Sequence, residues 1–549
     1  MRALVRLATI TLAGAVLYYA GLVNGMVLVR PSVFGAVLVV AAIALSIAML
    51  VVALVGDGRG DARTPPRPRW IGVHRVAWLV ACLMALVGAS WLFAEHSGDS
   101  TPYHNDAIAL SECAAQLILE SRDPYTDLNV YTCYTGLGIG ADRTTPLRRG
   151  LFAGDDLYPS DSQLATVWAT QSHDSQRQVE FESKPSYPAL SFLLIAPWVA
   201  LGWDPNVLYV LYLLCLIAAM GLVLLRAPVS LRPFVLTGLL GAASLEAFTV
   251  GGSADPLYAL PLVAAWLWRE RRWSGLLYGV AAATKQIAWF FAPFYFLQLL
   301  ATQGWRVAAK RMAQAGAVFA IANLPFVAAD PRAWLAGVFA PVADPMFPRG
   351  AGLILLVTNG VVPAWPPLAY TALELAAFAV FLGVAWRTRR TSPELGAVLA
   401  AAPLFFAYRS LFSYFFLLPL FAFAGLVRLP LGELDPAIAR ASGALLLFAF
   451  PARRLRAQME EPVPTAARVA RPTEPSRNEG RRSDGDPVTN AYVALRPLLP
   501  VLARAPIPVR EFRFRRTTAA ILGIVLYVLL AVGAGLALLS WSHLGAFAS

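Results

Sequence analysis

Charge is what this chain has least of. Only 14% of its 549 residues are Asp, Glu, Lys or Arg, against 58% hydrophobic, and the mean hydropathy is +0.59. Soluble domains average about 45–50% apolar residues even with glycine counted, so soluble enzyme classes are excluded. The five histidines are scattered, which argues against a histidine metal site, and the four cysteines form no Cys-x-x-Cys pair. Walker, Gly-x-Ser-x-Gly and His-Glu-x-x-His motifs are all missing, so nothing supports the chemistries they carry. No internal repeat at a fixed period is visible, although a secondary transporter would commonly carry one.

What the chain has instead is a series of apolar runs, many of them close to the ~20 residues that cross a bilayer core. They occupy 3–23, 32–55, 76–94, 206–226, 233–250, 253–268, 274–301, 313–328, 351–364, 366–386, 394–408, 411–427 and 517–540. An all-α polytopic membrane protein with roughly 11–13 transmembrane helices is expected. The run 187–203 carries Pro188 and Pro197 and is expected to dip into the interface as a broken helix rather than to cross. With that assignment Arg226, Arg232 and the cluster Arg269–Arg272 fall on one side of the membrane. The run 274–301 is interrupted at Thr284-Lys285-Gln286 and splits into two shorter halves.

The formal charge of +12 is unevenly placed. The long polar segment 95–186 holds 14 acidic and 6 basic residues, a net −8, whereas 452–516 holds 14 basic and 7 acidic residues, a net +7. Basic residues mark the cytoplasmic side, so the acidic loop is expected outside and the basic segments inside. Charge here reports topology, not a nucleic-acid partner. The expected organisation has two N-terminal transmembrane helices and a basic cytoplasmic linker over 1–75, then a membrane module over 76–430. A basic, largely disordered cytoplasmic linker follows over 431–516, and a C-terminal transmembrane helix over 517–549.

Several residues stand where chemistry is possible. An aspartate beside a membrane face invites a functional reading, and Asp106 follows the polar pair His104 and Asn105, which are suited to orienting a hydroxyl. Asp106 is a candidate general base; as an alternative it caps the helix that starts at Ala107. Asp123, before proline, reads as a turn residue. Lys184 and Tyr187 lie where the loop re-enters the membrane, suited to a phosphate or sugar, although a lysine there also snorkels. Lys285 sits between apolar half-spans and needs an anionic partner or water; Gln286 adds a hydrogen-bonding amide. Arg409 is placed similarly, and Asp255 either reaches the same face or begins a helix before Pro256. Cys113 and Cys133 share the exterior loop, where an oxidising compartment permits a disulfide; two free thiols are the alternative. Cys82 and Cys215 lie in apolar spans and read as inert.

Four stretches carry a resemblance to a known group. They are 105–125, from Asn-Asp-Ala-Ile-Ala-Leu to Ser-Arg-Asp-Pro-Tyr, Lys-Pro-Ser-Tyr-Pro-Ala-Leu at 184–190, Gly-Gly-Ser-Ala-Asp-Pro-Leu at 251–257, and Gly-Val-Ala-Ala-Ala-Thr-Lys-Gln at 279–286. Over about residues 76–430 the chain resembles the GT-C class of integral-membrane glycosyltransferases, especially bacterial polyprenyl-phosphate-mannose-dependent mannosyltransferases. The resemblance implies a GT-C-like helical bundle whose large first exterior loop is catalytic, with Asp106 as base. It also implies a polyprenyl-phosphate sugar donor whose phosphate meets Lys285 and Arg409, and a cell-envelope glycolipid, glycan or protein acceptor on the extracytoplasmic face. No cofactor and no metal are required, because cations offset the leaving-group charge. The sequence departs from the group in its two preceding spans, a polar insertion around 135–180, and the C-terminal linker and last span. Two other classes stay open: a transporter or flippase of a lipid-linked or anionic solute, and a non-catalytic protein that binds through 95–186.

Overall fold

Backbone groups in lipid have no water to bond, so apolar runs must satisfy them internally as helices. Helices dominate accordingly in the computed structural model, which describes residues 2–55, 106–154, 157–171, 180–202, 205–228, 231–250 and 253–429. The expected span 76–94 with Cys82, the candidates His104 and Asn105, the linker 431–516 and the last span 517–540 lie outside the described residues.

The chain begins with α1 (Arg2–Val29) and α2 (Val33–Leu54). The turn between them is fixed by Ser32, whose hydroxyl accepts from the Gly35 backbone N–H and caps α2. The loop region contributes α3 (Asp106–Leu119), α4 (Pro124–Asp127), α5 (Val130–Gly136) and α6 (Asp161–Ala169). Next come α7 (Leu190–Leu193) and α8 (Ala196–Ala200), two short helices that replace any continuous run over 187–203. Then follow α9 (Pro205–Arg226), α10 (Arg232–Gly241), α11 (Ser244–Val250), α12 (Pro256–Leu267), α13 (Ser274–Thr284), α14 (Ile287–Gln303) and α15 (Trp305–Ala329). After α16 (Pro331–Val338) and α17 (Ala340–Ala343) comes the two-residue strand β1 (Arg349–Gly350). The described chain closes with α18 (Ile354–Thr358), α19 (Pro367–Thr388), α20 (Gly396–Leu399), the strand β2 (Arg409–Ser410) and α21 (Leu418–Leu426).

Four of these helices, α1, α2, α15 and α19, are long and apolar enough to cross a membrane. Their outer faces are apolar and uncovered: on α19 only Tyr370 and Ala385 are buried, while Leu368, Leu375 and Val380 are exposed. Apolar surface on that scale belongs against lipid or a partner rather than water. The run 351–364 does not form a span. Its α18 has 5 residues and ends at Asn359, ahead of a left-handed Gly360.

The centre of the bundle packs through small residues. Gly275 and Gly279, one turn apart on α13, bring its backbone against Arg311 and Ala315 of α15, where a Cβ at either glycine would collide with backbone oxygen. Helix α12 packs on both α9 and α13, while α1 and α2 pack on each other and on α21. At one end a buried ionic network ties three elements together. The Glu394 carboxylate accepts from Arg269 Nη2 at 2.5 Å, Trp266 Nε1 at 2.8 Å and Gln298 Nε2 at 3.2 Å. The Arg269 and Glu394 side chains are only 4% and 1% exposed. At the break between α13 and α14, Lys285 leaves the helix in an extended conformation and the Tyr278 hydroxyl donates to the Ala288 carbonyl across the gap.

Candidate functional site

Asp106 is the first residue of α3, half-buried, and its position is set from two directions. The Thr145 hydroxyl donates to its Oδ2 at 2.7 Å, and the Tyr134 hydroxyl donates to its backbone carbonyl at 3.1 Å. A carboxylate at a helix N-terminus is further favoured by the helix dipole. Tyr134 belongs to α5, and the disulfide between Cys113 of α3 and Cys133 of α5, with Cα atoms 6.1 Å apart, ties those helices together beside it. Thr145 is held by an irregular ladder. The Glu182 N–H donates to the Thr145 carbonyl at 2.8 Å, the Leu147 N–H to Glu180 at 2.7 Å, and the Arg148 N–H to Pro345 at 2.7 Å. Behind that ladder Ala141, Phe152, Leu164 and Val167 of the insertion around 135–180 form a small core with Phe181 and Phe347.

The ladder also delivers Glu182. Its residue surface is partly open, yet Oε1 is buried and has no hydrogen-bond partner. Burial first and the Asp106 charge second push this carboxyl up to about 7, against the opposing pull of Arg409 and the Ser186 hydroxyl. Burial likewise raises the Tyr158 hydroxyl, while Arg349 and Arg409 lower it and Asp106 raises it further. Tyr158 therefore lies in the fields of both arginines and of the candidate base.

The cations form two groups. Lys285 makes an ion pair with Asp255, which is fully buried at the start of α12 and also accepts from the Ser253 hydroxyl at 3.1 Å. The Lys285 ammonium sits 5.1 Å from the centre of the Tyr187 ring. The second group is Arg349 and Arg409, register partners in the parallel pairing of β1 with β2. Gly350 makes this pairing possible: its φ is +148°, and a Cβ there would run into the Ser410 backbone. The Arg349 guanidinium lies 3.9 Å from the centre of the Tyr158 ring, and Arg409 Nη1 points at the Met346 sulfur at 2.7 Å. Among the described residues neither arginine has a carboxylate within 4.0 Å. Tyr414 lies in the fields of Arg409, Lys285 and Asp255 and links the two groups.

The fold thus gathers Asp106, Tyr187, Asp255, Lys285 and Arg409 from five separate stretches of chain. Lys184 makes no hydrogen bond or ion pair among the described residues. Gln286 spends its amide protons on the Ser186 and Val338 carbonyls, at 2.6 and 2.8 Å, and so fixes the re-entry point of the loop. Asp123 caps α4 by accepting from the Tyr125 N–H at 2.9 Å. Sequence reasoning missed Thr145, Tyr158, Glu182, Arg349 and Tyr414. Only Glu182 carried a signal, as an acidic residue in the short polar stretch Glu182-Ser183-Lys184 just before the chain re-enters its apolar run.

No known protein family, characterised protein or solved structure matches this chain. No group of three or more His, Cys, Asp or Glu side chains among the described residues is placed to hold a metal ion. What remains is the half-buried carboxylate of Asp106 and two arginines that, among the described residues, have no carboxylate within 4.0 Å.

Proposed function

We propose that this chain is a multi-pass membrane glycosyltransferase of the GT-C type. It moves a sugar, mannose by the resemblance above, from a polyprenyl-phosphate-sugar donor to a cell-envelope lipid, glycan or protein acceptor. Asp106 accepts the proton of the acceptor hydroxyl as that oxygen bonds to the anomeric carbon. The bond from that carbon to the phosphate oxygen breaks on the opposite face, so configuration inverts and polyprenyl phosphate leaves with the electron pair. Arg409 and Arg349 offset the leaving-group charge, with the Lys285–Asp255 pair shaping the field beside them. Glycosyl transfer needs a base and a cationic cradle in one site. The observation that carries the reading is that one short stretch, Thr145–Arg148, bonds Asp106 through the Thr145 hydroxyl at 2.7 Å and pairs with Pro345 and Met346, whose sulfur meets Arg409.

Topology follows the charge pattern. The acidic loop with its disulfide faces the extracytoplasmic side, where thiols oxidise, and the basic segments face the cytoplasm. The test is transfer by purified protein from a panel of radiolabelled polyprenyl-phosphate sugars to native membrane lipids and glycans. Product from one donor supports the reading. If no donor gives product with acceptors present, the same cations are better read as lining the path of a lipid-linked or anionic solute.

A further inference from the structure

Arg349 and Arg409 hold poor partners. A guanidinium offers five N–H donors arranged for planar oxyanions, yet Arg409 meets a thioether and Arg349 an aromatic face. Register partners on adjacent strands project their side chains to the same side, and the Arg349 guanidinium lies 3.9 Å from the centre of the Tyr158 ring. The backbone ladder connects Glu182 to the arginines: Glu182 pairs with Thr145, Leu147 pairs with Met346, and Met346 meets Arg409, while Glu182 Oε1 is buried and unpartnered.

We propose that Arg349 and Arg409 form an oxyanion site for a phosphodiester, and that Glu182 is protonated when the anion is bound. The proposal rests on the donor reading given above and deepens it.

The groups facing Glu182 support this assignment. Asp106 reaches it from α3, Asp344 from the end of α17, Arg409 from β2 and the Ser186 hydroxyl from its own segment, and its charge is also felt by Tyr134 of α5 and Tyr187. Asp344 is balanced by Arg149 at 2.8 Å and Asp106 is bonded by Thr145 at 2.7 Å. Of these three carboxylates Glu182 is the least compensated, since its Oε1 is buried without a partner. An arriving anion occupies Arg409 and adds negative charge within the same cluster. The carboxyl with the weakest hold on its charge then neutralises first. Its empty-site value of about 7 leaves it roughly half protonated at neutral pH, so anion binding there draws in about half a proton.

The test is calorimetric titration of the full chain in lipid nanodiscs between pH 5.5 and 8.5. The probes are methyl farnesyl phosphate, a phosphodiester that stays monoanionic over this range, and sulfate, a free oxyanion that also does not titrate. The expected affinity is flat at the acid end and weakens toward about tenfold per pH unit at the alkaline end. Glu182→Gln removes the slope, Asp106→Asn keeps a slope but moves its onset to lower pH, and Arg349→Ala or Arg409→Ala weakens both probes at least about tenfold. Repeating the wild-type titration in two buffers of different ionisation enthalpy counts the protons without any variant. A flat wild-type profile, a slope that survives Glu182→Gln, or unchanged binding by Arg349→Ala overturns the proposal, as does failure of both probes to bind. Sloped sulfate binding without binding of the prenyl diester keeps the oxyanion site and its proton linkage, but removes the phosphodiester ligand and the polyprenyl donor.

Discussion

Replacing Glu394 by alanine should be among the most damaging single changes available in the described bundle. The carboxylate accepts from Arg269, Trp266 and Gln298 at once, and both ionic partners are almost wholly excluded from solvent. Its loss strands the Arg269 guanidinium with the Trp266 carbonyl at 3.3 Å and with Glu270 at 3.9 Å, which is itself engaged by Arg428. Breaking a buried ion pair by removing one partner costs about 3–5 kcal/mol, because the surviving charge stays buried. The indole N–H also loses its acceptor. Removing both charges avoids the first penalty, so Arg269→Met with Glu394→Met should recover more than half of the loss. Unfolding by SDS in mixed micelles, followed by tryptophan fluorescence, reads both quantities; where unfolding proves irreversible, the rate of inactivation at fixed temperature replaces it. A loss below about 1 kcal/mol for Glu394→Ala, or a double variant as unstable as the single one, would refute the reasoning.

Three further outcomes are expected. Replacing Cys113 and Cys133 by serine opens a loop of sequence separation 20 and should cost about 3 kcal/mol; non-reducing gels confirm the bond, and a melting temperature unmoved by reductant would contradict the estimate. Gly350→Ala forces a side chain into left-handed backbone against Ser410, so β1 should separate from β2 and sulfate affinity should fall with the melting temperature; wild-type affinity in that variant would mean that the Arg349–Arg409 pairing is not what binds. Glu182 is raised from the ordinary glutamate value to about 7, so the folded state holds its proton over a range where the unfolded chain has lost it. Stability therefore falls as pH rises between about 4.5 and 7, by up to roughly 3 kcal/mol, and the loss is complete above 7. Glu182→Gln should flatten that stretch of the stability profile, and an unaltered profile would show that the carboxyl is not perturbed as described.

Local sequence signals located two breaks in the chain, at 187–203 and at Lys285, but not the one at Ala242 that divides 233–250 into α10 and α11. Pro188 and Pro197 pointed to a broken run, which the fold realises as α7 and α8, and a lysine within an apolar run marked the end of α13 and the start of α14. The run 351–364 misled because hydropathy does not register backbone geometry. Gly360 turns left-handed after one short helix, and Pro363 and Pro366 hold the chain out of helix until α19. In the candidate site, charged residues at apolar boundaries stood out one by one: Asp106, Asp255, Lys285, Arg409. Their association did not, because the Lys285–Asp255 pair spans 30 residues and the Arg349–Arg409 register spans a sequence distance that no periodicity encodes. The insertion around 135–180 read as an added polar segment. The core it forms with Phe181 and Phe347 is what carries Thr145 to Asp106 and Tyr158 to the arginines.

The central claim is that Asp106 is the base of a glycosyl transfer. The most direct measurement is transfer from the active polyprenyl-phosphate sugar by wild type and by Asp106→Asn, at equal expression and melting temperature, with binding of methyl farnesyl phosphate measured on the same samples. Transfer lowered about 10²–10⁴-fold, with donor-site binding retained, is the expected result. Equal transfer by the two proteins would remove Asp106 from the mechanism.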